Sequence, residues 1–88
     1  MARRPGDNSS KVFGKRVRAL RLKFGGLSQE DLADKAHMHR TFLGRVERGE
    51  TNITLSNILR IVNALGVTLA EFFEDFDDAL EEEQTRVS

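Results

Sequence analysis

Between Ser28 and Gly49 the chain carries two short helical patterns separated only by His37-Met38-His39, and this spacing constrains the fold more than any other feature. Leu32, Ala33 and Ala36 form the inner face of the first. Phe42, Leu43 and Val46 resume an apolar face on the second, and Gly49 is placed to end it. Ser28 can cap the first helix, with Asp31 three residues on as the acidic partner of a capping box. Two short helices joined by a turn of a few residues form a hairpin unit that many helical proteins share, so spacing alone does not assign a function.

The flanking sequence is helical as well. A first helix fits from about Ser10 to Phe24, with Phe13, Val17, Leu20 and Phe24 as its buried stripe, and Gly25-Gly26 stops it. Thr54 caps a fourth helix bearing Leu55, Ile58, Leu59, Ile61, Val62 and Leu65, which Gly66 closes. Thr68 and Glu71 match a capping box and open a fifth helix with Leu69, Phe72 and Phe73. Phe76 and Leu80 either continue that stripe or fold back to cap the domain. No segment alternates as a strand would, and the fold class is all-α. The expected organisation is a basic arm over residues 1–9 containing Arg3 and Arg4, a domain over 10–76, and an acidic tail over 77–88 that is partly helical at most.

The 88 residues allow one domain with one small core, a size at which dimer formation is a natural supplement. There is no cysteine, so packing must supply the stability. No apolar run approaches the ~20 residues of a membrane span, and no apolar stretch follows the basic N-terminus as a signal peptide requires. The chain therefore reads as cytoplasmic and without a membrane partner. The net charge of zero conceals a division. Residues 1–50 carry twelve Lys/Arg against six Asp/Glu, whereas residues 51–88 carry two Arg against eight acids. Such a division fits one end drawn to a polyanion and another that repels it, although two ordinary solvated surfaces give the same count.

The third helix points to a partner. With Leu43 and Val46 turned inward, its other face offers Arg40, Thr41, Gly44 and Arg45. Arginine bonds bidentately to the O6 and N7 of guanine, and the threonine methyl suits thymine. Gln29 opens the second helix, where outward amides favour a phosphate.

Leu27-Ser28-Gln29-Glu30-Asp31-Leu32-Ala33, then Leu43-Gly44-Arg45-Val46-Glu47-Arg48-Gly49, then Leu55 to Leu65 and Gly66-Val67, together resemble the phage-repressor/Cro-like helix-turn-helix family over about Phe13 to Phe73. Within that family, His39-Arg40-Thr41-Phe42-Leu43 most resembles the controller proteins of restriction–modification systems. The resemblance implies a compact five-helix domain, with the helix-turn-helix at helices two and three, that binds a two-fold related DNA operator as a homodimer. It implies Arg40, Thr41 and Arg45 as base readers, Gln29, His39, Arg48 and Asn52 as phosphate contacts, and an internal Arg21–Glu47 ion pair. His37 departs from the family's turn glycine, and His39 from its small capping residue. Gly44 occupies the outward face where a reading side chain is common.

Ile61, Leu65, Val67, Leu69, Phe72, Phe73 and Phe76 exceed what so small a core needs; any single one can simply complete the core, but as a group they point to a dimer surface on helices four and five. His37 and His39 lack a second ligand at helical spacing, so no metal is expected. The carboxylates near the C-terminus lie in a solvated run, and no nucleophile has a base beside it; neither an enzyme nor a cofactor is expected. The sequence thus reads as a sequence-specific double-stranded DNA-binding regulator whose binding blocks or recruits RNA polymerase, with no small-molecule effector. Two other readings stay open: an antitoxin that primarily binds a toxin protein, and a protein-interaction module with a vestigial helix-turn-helix.

Overall fold

Val12, Phe13, Val17 and Leu20 recur at helical spacing, and in the computed structural model, which describes residues 9–87 and side chains through residue 82, they form the buried stripe of α1, Ser9–Lys23. Arg3 and Arg4 of the expected arm lie outside the described residues. Phe24, expected on the stripe, is instead 43% exposed, because the helix ends at Lys23 and Gly25 follows at φ 89°.

The capping signals position the next four helices. Ser28 accepts from the Asp31 amide at 3.0 Å and donates its own amide to the Asp31 carboxylate at 3.4 Å, opening α2, Gln29–Lys35. After the turn, α3 spans Arg40–Glu47. Thr54 accepts from the Asn57 amide and opens α4, Leu55–Leu65, which ends on Gly66 at φ 77°. Thr68 and Glu71 cap each other's backbone at the start of α5, Leu69–Phe72.

Phe13, Val17, Leu20, Leu32, Ala33, Ala36, Leu43, Val46, Ile61, Val62, Leu65 and Phe72 meet in one core to which all five helices contribute. Each large aliphatic or aromatic side chain enclosed there contributes roughly 1.5–3 kcal/mol relative to exposure. Arg16 adds a polar tie, donating to the Phe72 and Glu71 carbonyls at 2.7 Å each and so holding the end of α5 against α1.

Beyond this five-helix body the chain does not continue α5. Asp75 adopts φ 60°, and a separate helix, α6, runs Phe76–Val87. The acidic segment is therefore helical through Val87, more than the partial helix expected from sequence. Phe76 folds back, stacking edge-on against Phe73 at 5.0 Å in an aromatic series that passes through Phe72 to Phe13. Among the described residues there is no strand, and no single helix is long and apolar enough to cross a membrane.

Candidate nucleic-acid interface

The position of α3 is fixed from behind by α1. An alanine Cβ at Gly14 would collide with the Val46 carbonyl oxygen and lie 2.6 Å from that of Glu47, so the two helices cross at a separation only glycine permits. Gly49, at φ 73°, similarly comes close to the Lys11 backbone. Arg21 lies one turn beyond Val17 on the buried stripe of α1. Its Nε and Nη2 donate to Glu47 at 2.7 and 2.9 Å, and its Nη1 donates to the Leu27 carbonyl at 2.7 Å. This pair, which the resemblance placed between helices one and three, is enclosed, with side chains 7% and 3% exposed. One guanidinium thereby joins α1, the approach to α2 and the end of α3.

The turn before α3 relies on its two histidines. His37 sits at φ 57°, a left-handed conformation that histidine tolerates better than most residues. His39 is the N-cap of α3, its Nδ1 accepting from the Thr41 amide at 3.3 Å. The imidazole thus takes the part of the small polar cap expected there. Among the described residues no group of three or more His, Asp or Glu gathers around a common point that a metal ion could occupy.

On the solvent side, Arg40, Thr41 and Arg45 are exposed. Arg40 stands 3.7 Å from Glu30 on α2. Ser28, Gln29, Glu30, Arg40, Thr41, Gly44 and Arg48 line one open crevice between α2 and α3, so two expected phosphate contacts and two expected base readers share a surface. Gln29 is half-buried and donates to Glu47 at 2.9 Å, which links its amide to the enclosed ion pair. Gly44 lies on this outward face as expected but is itself covered, because Arg48 and Gln29 lie over it. Asn52 is set apart, accepting from the Ser10 hydroxyl at 3.2 Å beside the start of α1.

The sequence reading missed the acid on this surface. Arg48 donates to both oxygens of Glu50, at 3.0 and 3.1 Å. Hydrogen bonding and attraction to Glu50 raise the Arg48 guanidinium above its ordinary value. The same hydrogen bonds outweigh desolvation and, aided by the charges of Arg48 and Arg45, hold Glu50 below the usual carboxylate range. The signal was the short Arg-Gly-Glu spacing, since a glycine at positive φ turns the chain back on itself.

The expected dimer surface needs correction. Ile61 and Phe72 are fully enclosed in the core and Leu65 nearly so, because their stripes face α1 and α2 rather than solvent. Val67 and Phe76 are half-buried, and Leu69 is exposed. The large apolar side chains open to solvent on α4 and at the two ends of α5 are Leu55, Leu59, Leu69 and Phe73.

A helix-turn-helix family model matches residues 17–72. Control protein C.BamHI of Bacillus amyloliquefaciens is 44% identical over 61 residues, covering 69% of this chain and 75% of that protein. The crystal structure of the restriction–modification controller protein C.AhdI from Aeromonas hydrophila superposes with a TM-score of 0.68 at 44% identity, over 73% of this chain and 96% of that one. Controller protein C.Esp1396I, solved as a tetramer in complex with its natural 35 base-pair operator, gives 0.75 at 29% identity over 82% and 93% of the two chains.

Proposed function

Because this chain belongs to the helix-turn-helix family, with restriction–modification control proteins as its relatives, we propose that it is a sequence-specific regulator that binds duplex operator DNA as a homodimer. The observation that carries this reading is the division of α3. Leu43 and Val46 are sunk in the core, and Arg40, Thr41 and Arg45 stand exposed on a helix that a close backbone crossing keeps from rotating. A helix presented in this way can enter the major groove with its N-terminal half at the base edges.

In this reading Arg40 and Arg45 bond guanine, Thr41 packs on a thymine methyl, and Gln29, His39, Arg48 and Asn52 meet the backbone. The Arg21–Glu47 pair positions these groups. Val67, Leu69, Phe73 and Phe76 remain from the expected apolar group, joined by Leu55 and Leu59. Two recognition helices then reach successive major grooves about 34 Å apart. The protein acts by binding, without a chemical step, in the cytoplasm, and the bound dimer excludes or recruits polymerase. The control-protein relatives favour this over a toxin-neutralising role.

Selection of bound fragments from a random duplex pool tests the proposal. A pair of related half-sites is expected, and a pool that stays random would refute sequence-specific reading. On the selected duplex, Arg45→Ala should lose roughly 1–3 kcal/mol and relax the preference at one position of each half-site.

A further inference from the structure

Of the cationic and amide side chains at the expected DNA surface, three already have a carboxylate. Gln29 bonds Glu47, Arg40 stands near Glu30, and Arg48 bonds Glu50. The three pairings differ in kind. Glu47 is enclosed and committed to Arg21, so it cannot leave. Glu30 is 3.7 Å from Arg40, a loose approach. Glu50 alone offers both oxygens at hydrogen-bonding distance to an exposed guanidinium.

This is the geometry in which arginine takes a phosphate: two parallel N–H donors to two anionic oxygens. The backbone holds the carboxylate in place. The Gly49 amide donates to the Val46 carbonyl at 3.0 Å and the Glu50 amide to the Arg45 carbonyl at 2.9 Å, folding Glu50 back beside the last turn of α3. Gly44 assists, since an alanine there would put its Cβ 3.3 Å from the Arg48 Nη1. Both side chains remain more than half exposed, so the pair is weak and readily exchanged.

We propose that Glu50 is an internal competitor for the DNA backbone: it occupies the Arg48 guanidinium in the free protein, must release it to a phosphate on binding, and so sets how tightly the protein holds any duplex. The inference rests on the DNA-binding reading above. It assigns Glu50 as a positioning residue that limits affinity without reading sequence. The competing charge is local, acting on Arg48 and, at longer range, on Arg45.

The test is a double-mutant cycle with Glu50→Gln and Arg48→Ala, measured on the selected operator and on a random duplex across a salt series. Glu50→Gln should tighten both complexes about two- to fivefold and steepen the dependence of log K on log salt by up to about one. In the Arg48→Ala background that gain should vanish. No gain in the wild-type background, or an equal gain in both, overturns the proposal, the latter because it would reflect only the removal of a negative charge. A readout without DNA separates the two readings. In the free protein, the Glu50 carboxyl followed by NMR should titrate higher in Arg48→Ala than in wild type, and an unchanged titration overturns the pairing. If the titration responds and no duplex binds, the DNA-binding reading fails and the competition with it.

Discussion

Arg21 and Arg48 each grip a glutamate through Nε and Nη2, at 2.7 and 2.9 Å in the seam between α1 and α3 and at 3.0 and 3.1 Å on the solvent side of α3. The inner pair is enclosed, shares Glu47 with Gln29, and uses its remaining nitrogen on the Leu27 carbonyl. The outer pair has more than half of each side chain in water. The same two-nitrogen arrangement thus serves both, and burial is what chiefly separates their roles. The enclosed pair cannot be broken without stranding a charge in a medium that solvates it poorly, so it fixes structure. The exposed pair is screened and exchangeable, and that leaves Arg48 available to a ligand.

Removing one partner of the inner pair should give the largest effect. Glu47→Ala strands the Arg21 guanidinium and should destabilise the domain by about 3–5 kcal/mol in urea unfolding, whereas replacing both partners with leucine should recover much of that loss. A double variant as unstable as the single one would mean the pair holds more than its own charges. Gly14→Ala attacks the same seam through sterics instead of charge. It should lose about 2–3 kcal/mol and also weaken operator binding, because α3 must shift away from α1.

A change in the turn should have the opposite sign. His37→Gly relieves a left-handed conformation and should raise stability by about 1 kcal/mol, seen as a higher urea midpoint with an unchanged slope. The outer pair should give the smallest change in stability. Arg48→Ala should leave unfolding within error while weakening binding to all duplexes alike and flattening the salt dependence. Because Glu50 titrates below its unfolded value, what little the pair adds is present above the ordinary glutamate range and lost as pH falls through the folded value. The stability–pH curves of wild type and Arg48→Ala should therefore nearly coincide, with any small wild-type excess confined to pH above that range; an excess on the acid side instead would contradict the sign.

Much of this architecture was legible because its boundaries are local chemistry. Ser28, Thr54, Thr68 and Gly66 announce helix ends through their own side chains or the lack of one, and the structure uses each accordingly. The break between α5 and α6 was not legible. Phe72, Phe76 and Leu80 keep helical spacing across it, and neither glycine nor proline marks Asp75; packing of Phe76 onto Phe73 decides it. Apolar stripes have the same limit. Nothing in the spacing of Ile61 and Phe72 says whether they face their own core or a second copy. The outward arginines of α3 could be read from the helix alone, but the acid opposite Arg48 depends on how the chain turns after Val46.

Gly14 carries a consequence for how such a protein can change its target. It meets α3 through main-chain oxygens, which every sequence at those positions would present. The scaffold is thus indifferent to what Arg40, Thr41 and Arg45 are. If they read bases as proposed, these three positions form an exchangeable reading head on a fixed mount, where new specificities can be grafted or evolved while the frame behind them stays unaltered.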